Sequence, residues 1–198
     1  MNTRFIAVLI LCVISSYEVA VAADSNHHSP YASEQNRTIK SLSQNDIADL
    51  TAGAGWGLAK AAELNGVPGP MHLLEMKDEI GLTDVQIESI DRVFNEMRSD
   101  AKLLGKKLIL QETALDDKFK NDVPTPEELR IQLAEIGETR SSLRYVHLSA
   151  HLKMPKILSA SQIDSYNQLR GYTVSDDPCA NVPAGHNEEM WKKHNNCG

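Results

Sequence analysis

Between Ile90 and Met154 the chain carries two long apolar seams separated by a five-residue breaker. Ile90, Phe94, Met97, Ala101, Leu104 and Leu108 alternate steps of four and three, and Leu115 continues the stripe beyond Gln111. Leu129, Leu133, Ile136, Arg140, Leu143, His147, Ala150 and Met154 repeat that stepping. This spacing keeps one face of an α-helix apolar over many turns, which marks a helix lying along a partner. Asp122-Val123-Pro124-Thr125-Pro126 interrupts the pattern. Proline has no N–H to give and restrains the residue before it, so a helix stops there. The break is long enough only to reverse the chain, and the two helices form an antiparallel hairpin. The expected fold is therefore all-α, two long helices with shorter flanking helices. From Asp84 to about Asn121 the first would run on the order of 55 Å. A thin hairpin leaves seam exposed, so a homodimer is expected.

Local chemistry marks the ends of the elements. Leu82-Thr83-Asp84-Val85-Gln86 returns as Leu158-Ser159-Ala160-Ser161-Gln162. In each copy a hydroxyl at the N-cap and a glutamine three residues on can close a capping box. Leu82 with Ile87, and Leu158 with Ile163, have the spacing of a hydrophobic staple. Ser43 with Asp46 and Thr125 with Glu128 read as further helix starts, with Pro126 at a first helical position. Pro70 opens a helix over Met71–Ile80 that Gly81 stops, and Gly171 ends the helix begun at Ser159. Gly53-Ala54-Gly55-Trp56-Gly57 is too glycine-rich for a helix interior. It has neither a preceding strand nor a Gly-Lys-Ser/Thr ending, so it is no phosphate loop. A helical turn over 58–64 and a turn over 65–70 follow.

The N-terminus reads as a cleavable export signal over residues 1–22: Arg4, an apolar run from Phe5 to Val13, and small residues at Ala20-Val21-Ala22. Residues 23–42, polar and including His27-His28, read as a disordered leader. The helical domain then spans 43–172, and 173–198 forms a cysteine-containing tail. The net charge is −7, and removal of Arg4 and Glu18 with the signal leaves it unchanged. Such an acidic balance speaks against nucleic acid and anionic membrane as partners. No segment after the signal is long and apolar enough to span a bilayer. Cys179 and Cys197 remain, and in an oxidising compartment a disulfide closing the tail is the default, with a metal or redox role as the alternative.

The paired Leu-Thr/Ser-x-x-Gln segments flanking a helical hairpin resemble the LTxxQ-motif family of periplasmic proteins. That family includes Spy/CpxP-type chaperones and stress regulators and related heavy-metal sensor and resistance proteins. The resemblance covers roughly residues 71–172. It implies a periplasmic, non-enzymatic envelope-stress protein: a metal-binding sensor or resistance factor, or alternatively an ATP-independent chaperone or signalling regulator. Its partners would then be unfolded clients or an envelope signalling protein. The chain itself carries no nucleophile elbow, zinc-protease motif or cofactor fingerprint.

The residues with chemistry to offer are histidines. His147 and His151 lie four apart on one helix face and can grip a single ion. Antiparallel pairing sets them opposite Glu96 and Met97, and the short preceding helix can bring His72, Glu75 and Met76 to the same end. Met154 lies one turn further. Imidazole, carboxylate and thioether together suit zinc, nickel, cobalt or copper. The ligand set expected is His147, His151, His72, Glu75, Met97 and Met154. The competing reading of His147, which falls on the apolar seam, is a hydrogen-bonded packing residue. His186, Met190 and His194 form a second candidate set in the tail.

Overall fold

The computed structural model describes residues 29–173, 179, 182, 187–195 and 197. The expected export signal at 1–22, His27, His28 and His186 lie outside them. The chain divides into two units, residues 1–35 and 36–198. In the first, residues 29–35 form turns, with Ala32 N–H donating to Ser29 O at 3.0 Å and Glu34 N–H to Tyr31 O at 2.8 Å.

The second unit is helical, and its elements begin where the caps place them. They are α1 (Gln44–Ala52), α2 (Lys60–Glu63), α3 (Pro70–Glu75), α4 (Lys77–Ile80), α5 (Asp84–Asn121), α6 (Pro126–Lys153), α7 (Ala160–Leu169) and α8 (Glu188–His194). A 3₁₀ turn, Met154–Lys156, links α6 to the approach of α7. Capping boxes close at Ser43/Asp46, Thr83/Gln86, Thr125/Glu128 and Ser159/Gln162. The helix expected over Met71–Ile80 is broken at Met76, whose φ of −110° and ψ of 24° divide it into α3 and α4.

Helices α5 and α6, of 38 and 28 residues, are the antiparallel hairpin. Lys118–Glu128 at 2.8 Å, Arg140–Glu112 at 3.0 Å and Lys153–Glu96 at 3.5 Å step down its length in opposite chain directions. The seam positions Ala101, Leu108, Ile136 and Leu143 are buried in a first core. Leu133, expected on the seam, is half exposed. Ile39 and Leu42 complete this core at 4 % and 1 % exposure. The expected disordered leader through residue 42 is corrected accordingly: two apolar side chains anchor its last residues against the hairpin.

Helix α1 crosses α5 at a small-residue contact. A Cβ on Gly105 would lie 2.2 Å from the Leu50 carbonyl oxygen, so only glycine admits α1 this closely. Gly53 ends α1 in the left-handed region, its φ being 67°. Residues 39–58 thus lie over the apolar face of the hairpin.

A second core occupies the open end, where Leu73, Ile80, Ile90, Met154, Leu158 and Tyr166 bury together. The two motif glutamines meet there. Gln86 Nε2 donates to Gln162 Oε1 at 2.9 Å and to Ile157 O at 2.8 Å. Gln162 Nε2 returns a bond to Gln86 Oε1 at 3.0 Å and reaches Gly81 O at 3.2 Å. Each Oε1 also accepts its own N-cap N–H at 3.0 Å. The repeat is therefore a reciprocal clasp between α5 and α7 as well as a pair of helix caps. In the tail, Cys179 and Cys197 are joined in a disulfide with a Cα–Cα distance of 5.4 Å. Met190 and His194 stand on α8, Met190 largely exposed. No helix among the described residues is long and apolar enough to cross a membrane.

Candidate functional site

Helix α6 presents His147 and His151 one turn apart, and both are buried, at 2 % and 6 % exposure. They border a cavity of about 390 Å³ that α5, α3, α2 and the glycine-rich loop also line. Nδ1–H of His151 donates to Val67 O at 2.9 Å. A carbonyl only accepts, so the proton sits on Nδ1 and the lone pair on Nε2. Gly69 makes this docking feasible. A Cβ there would meet His151 Cε1 at 2.7 Å and Nε2 at 2.9 Å, so the Asn65–Pro70 turn can pass the imidazole only as glycine. His147 is placed differently: its Nε2 is buried and finds no hydrogen-bond partner. Burial first, and the neighbouring His151 second, hold the His147 pKa below the ordinary imidazole value. At neutral pH this ring is uncharged.

Glu63, at the end of α2, is the carboxylate beside this pair. Its Oε1 accepts from Tyr166 Oη at 2.6 Å, Tyr172 Oη at 3.0 Å and Arg170 Nε at 3.1 Å. Its Oε2 lies 4.0 Å from His151 Nδ1. Burial, reinforced by the Glu63 carboxylate, pushes the Tyr166 phenol well above the usual range, so it serves as a fixed donor.

The six residues expected to form one ligand set divide. His147, His151, His72 and Met97 line the cavity. Glu75 instead holds His72, whose Nδ1 pairs with its Oε2 at 2.7 Å. Met154 does not join them. It is fully buried in the second core, clustered with Leu73, Ile90 and Tyr166. Among the described residues no group of three or more His, Cys, Asp or Glu stands ready to hold a metal ion.

Sequence reasoning missed Glu63, Val67, Gly69 and Trp56. No local pattern marks Glu63 or Val67, since their roles arise from contacts made 84 to 109 residues away along the chain. Trp56 left a signal in its glycine-flanked setting. Its φ of 43° lies in the left-handed region, where a bulky residue is an outlier. Three features hold it there: Nε1–H donates to Asp46 Oδ1 at 2.8 Å, Arg140 lies 5.3 Å from the ring centroid, and the indole packs on the first core. Arg140 is itself fixed by Glu112, which also accepts from Ser41 at 2.8 Å.

Comparison with protein-family models, with curated proteins and with solved structures returns no match for this chain.

Proposed function

We propose that this chain is a non-enzymatic, exported envelope-stress protein of the LTxxQ type that senses or sequesters a divalent transition metal. The observation that carries this reading is the buried, unpartnered Nε2 of His147, one helical turn from His151. Leaving a buried polar nitrogen unpaired costs on the order of 1–3 kcal/mol. A neutral imidazole in that position is a competent ligand that need not lose a proton to bind. His151 carries the complementary device: its Nδ1–H bond to Val67 O fixes the ring and leaves Nε2 basic, the usual second contact of a metal-binding histidine. Glu63 Oε2 lies 4.0 Å from His151 Nδ1, and Glu63, His72 and Met97 border the same space. Zinc, nickel, cobalt or copper fits two imidazoles with positions left for exchangeable ligands. The periplasm is the proposed location, reached by cleavage of residues 1–22.

The test is a titration of the mature protein with each of these ions, repeated on His147→Ala and His151→Ala. Saturable binding that both substitutions weaken supports the site. Absence of binding, or binding that neither substitution changes, removes it.

A second reading, a homodimeric ATP-independent chaperone or stress-signalling regulator, draws on a different observation. Leu103 and Leu110 on α5 are exposed at heptad spacing, as are Tyr145 and Leu152 on α6, each by about two-thirds or more. Such surfaces favour adaptable apolar contact with unfolded clients or with a second copy. Suppression of client aggregation that persists in chelator, and that Leu110→Lys with Tyr145→Lys abolishes, would favour it.

A further inference from the structure

The cavity beside the histidines also has an apolar chamber and a cationic edge, and neither is needed for a metal. Trp56, Phe94, Met71 and Met97 contribute to its wall. A volume of about 390 Å³ falls within the range of small-molecule pockets, at the end suited to compact ligands. Among the described residues Trp56 is the one non-glycine residue with positive φ, and Asp46 and Arg140 hold it there. Backbone strain of this kind costs on the order of 1–3 kcal/mol and persists where surroundings enforce it, often in ligand clamps.

Two cations line the same cavity. Arg98 uses Nε to reach Ala52 O at 3.2 Å and lies 6.0 Å from the Phe94 ring centroid, which leaves its terminal N–H groups free to donate. Lys60 makes no ion pair among the described residues. The acidic side chain on the wall is already neutralised, because Glu63 is bridged by Arg170 at 3.1 Å. In a chain of net charge −7, an apolar chamber edged by two uncommitted cations is a local inversion of charge.

We propose that this chamber binds a small amphipathic monocarboxylate, with its ring or short aliphatic body against Trp56, Phe94, Met71 and Met97 and its carboxylate paired with Arg98 and Lys60. The chemistry follows from the two halves of the pocket. Aromatic and thioether walls recognise a flat apolar body, and guanidinium with ammonium recognises a carboxylate. This goes beyond the metal reading, since neither cation can ligate a metal and His147 need not touch the ligand.

The experiment is calorimetric titration of the full mature chain with 2-naphthoate in excess chelator, with 2-naphthamide as the uncharged isostere. Saturable binding of one naphthoate per chain is expected, with the amide weaker by about tenfold, the scale of one charge-assisted hydrogen bond. Arg98→Gln with Lys60→Gln should erase that preference, and Arg98→Lys should restore part of it. All are exposed positions, and an unchanged thermal midpoint verifies that the fold is retained. No saturable binding by the parent protein overturns the proposal, as does equal affinity for acid and amide. Binding that needs zinc and is lost with the two histidines would make the carboxylate a metal ligand and likewise overturn it. A failed metal titration leaves this result untouched, so the two readings fail separately.

Discussion

Gly105→Ala tests the crossing of α1 over α5 because local and tertiary physics predict opposite signs for it. Gly105 lies inside α5, where alanine is favoured over glycine by about 1 kcal/mol. Its added Cβ would, however, sit 2.2 Å from the Leu50 carbonyl oxygen and 2.9 Å from the carbonyl carbon. Close C···O contacts settle near about 3.3 Å, so α1 must retreat by roughly 1 Å. The atoms met are backbone, which cannot rotate away, and Leu50 at 2 % exposure would lose its packing. Overpacking of this kind costs about 1–3 kcal/mol. Set against the helix gain, the net is a destabilisation of up to about 2 kcal/mol, or a midpoint lowered by up to roughly 8 °C for a chain of this size. Gly137→Ala is the internal control. It lies in α6, exposed, and a Cβ there meets nothing within 4 Å, so it should raise the midpoint by roughly 2–4 °C. Thermal unfolding followed by far-ultraviolet circular dichroism, with urea unfolding as a second measure, reads both. A Gly105→Ala protein stabilised as much as the Gly137→Ala control would refute the close crossing.

Three further outcomes are expected. Gln86→Ala and Gln162→Ala should each lose about 1–3 kcal/mol, since each breaks a cap and strands the partner amide. Their double-mutant cycle should give a coupling above about 0.5 kcal/mol, and simple additivity would show that the clasp does not form in solution. His147→Leu should stabilise the metal-free protein by about 1 kcal/mol by removing an unpaired buried nitrogen. Because the folded pKa of His147 lies below the ordinary 6.5, stability is full above that value and falls as pH drops from it toward the folded pKa. The leucine variant should lack this component in urea titrations, and an unchanged pH profile would count against it. Finally, Glu128 is held down to about 2, first by Lys118 and then by the Thr125 cap. Its contribution at the hairpin turn is full above its unfolded value of 4.5 and is lost as pH falls through about 2. A carboxylate carbon titration by NMR that gives a midpoint near 4 would contradict the cap and bridge together.

The candidate site was partly legible in the sequence. The i, i+4 spacing put His147 and His151 on one face, and hairpin antiparallelism brought Met97 alongside them. Met154 followed the same periodicity and still went elsewhere. It stays in helical phase at the end of α6 and buries in the second core with Ile90, the first seam residue of α5, instead of lining the cavity. Glu63 and Val67 could not be found by pattern, because their partners Tyr166, Arg170 and His151 are remote in sequence. The leader was misjudged through composition, which averaged over Ile39 and Leu42 and hid two anchors among polar neighbours.

The sequence by itself determined where helices start and stop and that two of them fold back on each other. Capping boxes, N-terminal prolines and left-handed glycines act within a few residues, so their consequences can be read in one dimension. Tertiary structure alone decided what the motif glutamines do beyond capping, since a side chain that closes a box has donors left over and their partner is set by the docking of α7 on α5. It also decided that residues 39–58 cover the hairpin, that Gly105 and Gly69 are sites of close approach, and that the His147/His151 face opens into a cavity. These depend on which surfaces meet, and that is settled by burying two whole cores at once rather than by any single stretch of chain.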